Sequence, residues 1–347
     1  MSGVQRVMLS SEAENQRLDR WFRKQFPHVS QGHIEKLCRK GEIRLDGGRV
    51  KASTRLAEGQ SLRIPPLPDE ATTPKPRSAA ISDSDIGYMR GLVIYKDDHV
   101  IALNKPPGLP VQGGSNQNRH IDGLAGALSF DREDTPRLVH RLDKDTSGVL
   151  ILARSGQAAA GLARAFQSRE TRKIYWAAVA GVPRPPMGTI RYGLIKASGH
   201  GPKGEGERMH CIHPDAVSQT AGAKHATTDF AVLTAAAKRA AWVALAPITG
   251  RTHQLRAHMA EIGHPIVGDG KYGGSTQVNA GDGWGAQLGG AVSRKLHLHA
   301  RHLSLSHPVT GAVLSLTAPL PEHMARTWQL MGWEASDVSA DPFESLA

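Results

Sequence analysis

Between residues 17 and 64 the apolar positions change their period partway along. Leu18, Trp21, Phe22 and Phe26 fall at i, i+3, i+4 and i+8, the stripe of a short amphipathic helix, with Arg17, Arg20, Arg23 and Lys24 on or beside its other faces. Ser30 is placed to cap a second helix carrying Ile34, Leu37 and Cys38, and Gly41 to end it in the left-handed conformation. Alternation follows: Gly41 to Val50 reads as a strand turning at Asp46-Gly47, and the pattern resumes toward Leu62 and Ile64 as a hairpin would. Two helices and a hairpin predict a small α/β module over residues 15–65.

Pro65, Pro66, Pro68, Pro74 and Pro76, mixed with small and polar residues, break every apolar period, so residues 66–88 are expected to form a linker. Strand and helix patterns then run over residues 89–328 with no repeat, predicting one mixed α/β domain. Its strands include the runs either side of the polar turn Lys96-Asp97-Asp98-His99, the apolar Val149 to Ala153, Thr171 to Gly181, and the period-two stretch Leu296 to His307. Two Gly-rich and polar stretches, 197–206 and 273–290, read as excursions, and residues 329–347 as a C-terminal tail.

The length of 347 residues agrees with two domains at about 150 residues each. With 43 Lys and Arg against 32 Asp and Glu the formal charge is +11, which favours polyanionic partners and puts nucleic acid first. The excess is local, since residues 17–63 hold twelve Lys and Arg against five Asp and Glu. The two cysteines, Cys38 and Cys211, lack any CxxC partner, so a disulfide framework and a cysteine zinc site are both unsupported. The N-terminal residues contain no apolar signal region and no long apolar run follows, so the expected location is the cytoplasm, with no membrane partner.

Candidate chemistry concentrates in two segments. In Leu138 to Arg154, Asp143 lies in a charged loop entering a buried strand, where a carboxylate must find a partner; a purely structural ion pair and a functional carboxylate both fit. In Pro247 to Asp269, Gly250 ends a strand and Thr252 is placed to cap a helix whose start is crowded by Arg251, His253 and Arg256. Cations at a helix N-terminus oppose its dipole, so an anion is expected beside them. His253, His258 and His264 lack metal-ligand spacing and fit structural or phosphate-contacting roles better than a metal site. Tyr175 serves equally as strand filling or as a platform for a stacked base. Lys105, in the Pro/Gly loop Lys105 to Gly114, is placed to lie along a nucleic acid backbone.

These residues match a known pattern. His140 to Gly148, HRLDKDTSG, resembles the HRLDxxTSG signature of the RluA-type pseudouridine synthases. Lys173 and Tyr175 resemble that family's K-x-Y element, and Gly250 to Arg256, GRTHQLR, its GRTHQIR element. Asn104 to Gly108, His264-Pro265 and Gly268 to Gly273 follow in family order. Residues 15–65 resemble an S4 RNA-binding domain. The resemblance implies an α+β chain: an S4-like module plus a synthase domain with a mixed, mainly antiparallel β-sheet flanked by helices. It implies isomerisation of uridine to pseudouridine in large-subunit ribosomal RNA, without cofactor or metal; a monomer is the expected state. Asp143 falls on the catalytic aspartate, Arg251 on the arginine that pairs with it, and Tyr175 on the tyrosine that packs on the base. Arg141 is expected to fill the space left by the flipped base. RNA contacts are further expected from His140, Lys173, Leu255, Arg256 and Lys105, and from Lys36, Arg39, Lys40 and Arg44 of the small module. The alternatives are another structured RNA as substrate, a non-catalytic S4-type assembly factor, and a histidine-based metallohydrolase.

Overall fold

The computed structural model describes residues 3–67, 81–113, 119–168, 170–197, 208–273, 292–338 and 342–343. Residues 68–80 of the expected linker, both Gly-rich excursions almost entirely, and the last four residues lie outside them. The chain divides into two units, Met1–Ala80 and Ile81–Ala347.

In the first unit, helix α1 (Leu18–Gln25) buries Leu18, Trp21 and Phe22 along its apolar stripe. Helix α2 (Gln31–Lys40) starts where the Ser30 side chain accepts the His33 N–H and ends at Gly41, whose φ of 72° is left-handed. The hairpin joins β1 (Arg44–Leu45) to β2 (Gly48–Arg49) through Asp46 and Gly47, both at positive φ, the geometry a tight two-residue turn requires. Strand β3 (Ser61–Ile64) pairs with β1 and also with Gln5–Met8, a strand that precedes the boundary drawn at residue 15. Asp19, nearly buried, is held below the usual carboxylate range chiefly by hydrogen bonds from Arg17, which fixes the entry to α1.

The second unit opens with α3 (Asp83–Gly91), capped by Ser82, so helix begins inside the stretch expected to be linker. Its strands are β4 (Val93–Lys96), β5 (Val100–Lys105), β6 (Arg137–Leu138), β7 (Ser147–Ala153), β8 (Arg172–Ala180), β9 (Met187–Lys196), β10 (Met209–Ile212), β11 (Lys224–Ala236), β12 (Ala240–Pro247), β13 (Leu298–Ser306) and β14 (Val313–Thr317). They form one sheet in the order β10-β9-β11-β12-β8-β13-β7-β5-β4, with β14 paired to β13 and β6 to β7. The pair β13–β7 is parallel and the others are antiparallel, which makes the sheet mixed and mainly antiparallel. The fully buried run of β7 explains its unbroken apolar sequence.

Helix α4 (Gly156–Gln167) packs Ala158 and Leu162 against the β5, β7 and β13 part of the sheet. Helix α5 (Gln254–Glu261) packs Leu255 and Met259 against β8 and β12. Helix α6 (Glu322–Met331) brings Met324 and Trp328 onto Trp176 and Trp242 of β8 and β12, with ring centroids of Trp242 and Trp328 5.4 Å apart. Trp333 and Phe343 are buried in the same cluster, so the chain beyond residue 328 is in part core rather than tail.

Candidate active site

The sheet sets the positions of the catalytic candidates through one row of paired residues. Lys105 on β5 faces Gly148 on β7, Gly148 faces Ala300 on β13, Ala300 faces Tyr175 on β8, and Tyr175 faces Leu245 on β12. Gly148 sits at φ 109°, and a Cβ there would lie 2.2 Å from the Ala300 carbonyl oxygen, so the close parallel approach demands glycine. Asp143 lies five residues before Gly148, in the loop leading into β7, with its side chain 27% exposed. The Thr146 N–H donates to the Asp143 carbonyl, closing that loop as a turn.

Lys105 supports the loop from within. Its ammonium donates to the carbonyls of Pro106 (2.9 Å), Leu109 (2.8 Å) and Lys144 (2.8 Å), and the Gly108 N–H donates to Lys144 as well. The side chain is fully buried, and burial pushes the amine down to about 7, against the pull of Asp145 and Asp143. The expectation that Lys105 contacts RNA is therefore corrected: its three donors are spent on carbonyls of two loops, which it ties together.

Opposite Asp143 stands the start of α5. Arg256 Nη1 lies 3.7 Å and His253 Nε2 3.8 Å from Asp143 Oδ2. Arg256 is buried and makes a two-pronged pair with Asp269, at 2.7 and 2.8 Å. Asp269 Oδ1 also accepts the backbone N–H groups of Lys271 and Tyr272. The arginine beside Asp143 is thus Arg256, and the expected Arg251–Asp143 pair is corrected. Arg251 is exposed, its Nε donating to the His225 carbonyl at 3.3 Å.

The physical reason lies in the backbone between the two arginines. The N-cap of α5 is His253 in the left-handed conformation (φ 51°, ψ 21°), with no side-chain cap bond, and not Thr252 as the sequence suggested. Gln254 does the capping work instead. Its Oε1 accepts the Arg251 N–H and the Thr249 hydroxyl, while its Nε2 donates to Thr227 O and Thr228 Oγ1 on β11. That buried amide holds the turn, sends Arg251 outward and brings Arg256, one helical turn on, inward.

Tyr175 is partly buried on β8, packed among residues of both flanking core clusters. Burial, with Asp143 nearby, raises its phenol above the ordinary value, so it stays neutral and presents a ring. Lys173, two residues earlier on the same strand face, is half-buried and held below the usual lysine value by that burial.

Arg141 is exposed beside Asp143, its Nη1 3.4 Å from Gln112 Oε1. His140 departs from the expected RNA contact: its Nε2 accepts the Ile151 N–H at 2.9 Å, its ring lies 4.5 Å from that of Phe166, and burial lowers its pKa to about 3. Leu255 also departs from that expectation, being buried in the core with Val179, Leu245 and Ile266. In the first unit Lys36, Arg39, Lys40 and Arg44 are all exposed; Arg44 additionally donates to the carbonyls of Gly41 and Gly47, tying α2 to the hairpin turn.

The sequence reading gave His253 only a structural or phosphate-contacting role and passed over Asp269 and Tyr272, although the Gly-Asp-x-x-Tyr-Gly match at 268–273 contained the signal for both. Among the described residues no group of three or more His, Cys, Asp and Glu side chains could hold a metal ion, and no helix is long and apolar enough to cross a membrane.

Comparison with known proteins agrees with this geometry. A family model described as RNA pseudouridylate synthase matches residues 99–261, and an S4 domain model matches residues 16–62. The ribosomal large subunit pseudouridine synthase C of Escherichia coli (strain K12) is 34% identical over 94% of this chain and 96% of its own length. That of Vibrio vulnificus (strain CMCP6) is 33% identical over the same shares. The solved structure of human RNA pseudouridylate synthase domain containing 4 superposes with a TM-score of 0.57 at 28% identity, covering 72% of this chain and 98% of that one. An Asp143 loop, a Tyr175 strand and an Arg256 helix on a mixed sheet, in a chain so closely matched along its length, belong to the RNA pseudouridylate synthase family, with an S4 domain at the N-terminal end.

Proposed function

We propose that this enzyme isomerises uridines to pseudouridine in large-subunit ribosomal RNA, with Asp143 as the catalytic residue. The observation that carries the reading is the setting of Asp143: a part-exposed carboxylate at the rim of a buried strand, faced by Arg256, His253 and the Tyr175 ring. The reaction breaks the N1–C1′ bond, turns the uracil and rejoins it through C5, so C5 loses a proton and N1 gains one. Either route, attack on a carbon or removal of a ribose proton, starts from an ionised carboxylate. Arg256 is the cation that faces it, and because Asp269 already occupies two of its donors, it does so without locking Asp143 in a tight pair.

A uridine in structured RNA must leave its stack to reach Asp143. Arg141, exposed two residues away, is placed to enter the gap, and the neutral Tyr175 ring to stack on the base, a contact worth about 1–3 kcal/mol. Exposed Lys36, Arg39, Lys40 and Arg44 supply phosphate contacts from the S4 domain, and Arg251 supplies one at the site's rim. The large-subunit target is supported by the names of relatives matched over nearly the whole chain.

The test is tritium release from large-subunit RNA labelled with [5-³H]uridine and lacking the modification. Wild type releases tritium, and Asp143→Asn binds the RNA with similar affinity but releases none. Turnover by Asp143→Asn would remove Asp143 from the chemistry.

A further inference from the structure

His253 is the least expected neighbour of Asp143, and its surroundings are unusually constrained. It is a non-glycine residue at φ 51°, a conformation that a side-chain-bearing residue adopts at a cost and that persists where neighbours enforce it. The enforcing groups are the Gln254 amide on one side and Tyr272 on the other. The Tyr272 hydroxyl accepts the Met209 N–H at 2.8 Å, and His253 Nδ1 lies 3.0 Å from the same oxygen. The hydroxyl accepts from Met209 and can still give its own proton to Nδ1, the direction that the neighbouring Asp143 carboxylate favours. The ring proton is then on Nε2, the nitrogen 3.8 Å from Asp143 Oδ2. The opposite tautomer would aim a nitrogen lone pair at a carboxylate oxygen.

We propose that His253 is a positioning residue for the isomerisation: held by Tyr272, its Nε2–H restrains the Asp143 carboxylate in the orientation from which it meets the flipped uridine. Arg256 cannot fill this role by itself, because Nε and Nη2 are bonded to Asp269 and the guanidinium is planar, leaving Nη1 alone to reach Asp143. Arg256 Nη1 at 3.7 Å and His253 Nε2 at 3.8 Å, from one turn of α5, thus face the same carboxylate oxygen at electrostatic contact distances longer than a hydrogen bond. Tyr272 is edge-on to the His253 ring at 5.7 Å and lies under the Arg256 guanidinium at 5.3 Å, so one side chain braces both donors.

The charged groups acting on the imidazole are Asp143 and Asp269, which favour its protonated form, and Arg256 and Lys271, which oppose it; burial is the largest influence and keeps it neutral. The neutral state matters mechanically, since an imidazolium would bind Asp143 as an ion pair and compete with the substrate for it.

The inference rests on Asp143 being the catalytic residue, and the experiment separates the two. His253→Gly suits the left-handed backbone, so the protein folds as wild type does. Loss of the N–H facing Asp143 lowers kcat for tritium release by about tenfold or more with KM for RNA within twofold. His253→Gln, whose amide N–H reaches the place of Nε2–H, recovers kcat to within about threefold of wild type. Wild-type kcat in His253→Gly, or a loss carried by KM alone, overturns the proposal.

A second measurement needs no substrate. In protein with ¹⁵N-labelled histidine, His253 carries its proton on Nε2 and titrates at lower pH in Asp143→Asn than in wild type, because the carboxylate that favours its charge is gone. Equal titration in both proteins refutes the contact. Failure of wild type to act on large-subunit RNA counts against that substrate, and the titration still decides the role of His253.

Discussion

Arg256, the cation that faces Asp143, is itself held in place, and Asp269 does the holding. Asp269 and Arg256 are both buried and fully paired, so removing one leaves an uncompensated charge inside the protein. Asp269→Asn is expected to lower stability by about 3–5 kcal/mol in denaturant titrations, more than Asp143→Asn does. A Lys105→Met change, which keeps the volume and removes the ammonium, strands three carbonyls. It is expected to lower kcat through the Asp143 loop while leaving the RNA affinity of the S4 domain unchanged, as read by filter binding. Asp143 and Tyr175 were legible in the sequence because each sits in a multi-residue motif. Whether Arg251 or Arg256 reaches Asp143 was not: both crowd the same helix start, and the choice is made by the positive φ of His253, which leaves no trace in periodicity. Lys105 was misread for a related reason. A lysine in a Pro/Gly loop looks solvated until the register with Gly148 buries it.

Elements were read well where local chemistry decides them and poorly where partners decide them. The Ser30 cap, the Gly41 terminus and the Asp46-Gly47 turn each form as their residues dictate. The strand Gln5–Met8 escaped notice because four residues carry almost no alternation, and it exists through pairing with β3. Trp333 and Phe343 looked like tail residues because their partners Trp176 and Trp242 lie far away in sequence. Truncating Trp328 to Ala at the centre of that cluster is expected to cost about 3–5 kcal/mol, measured by thermal or urea unfolding. At the β7–β13 crossing, Gly148→Ala drives a methyl carbon into the Ala300 carbonyl and forces the parallel pair apart; loss of tritium release with a lowered melting temperature checks this.

The whole molecule carries its pH sensitivity in buried histidines. His258, His297 and His299 are pushed down to about 4 by burial, and His140 to about 3. Their folded-state values lie below the unfolded value of about 6.5, so the unfolded chain takes up protons first as pH falls. Stability is fully present above pH 6.5 and declines from there toward pH 4, a slope that urea titrations at several pH values will show. The two units have separate apolar cores, and residues 81–347 are expected to melt cooperatively without the first eighty residues. That fragment should bind large-subunit RNA more weakly and with a shallower dependence on salt, since the exposed lysines and arginines of the S4 domain are gone.

The row that runs from Lys105 through Gly148 and Ala300 to Tyr175 has a further consequence, for how this enzyme fails on heating. Adjacent strands are separated by about 4.8 Å, and these registers fix the spacing between the Asp143 loop and Tyr175. Loop-built sites soften first, because loops open at little free-energy cost while the core stays intact. Here the Asp143 loop is tied by Lys105 to β5 and runs directly into β7, so its spacing from Tyr175 follows the centre of the sheet. Activity and fold should therefore vanish together on warming, so that the temperature of half-inactivation coincides with the melting temperature instead of preceding it.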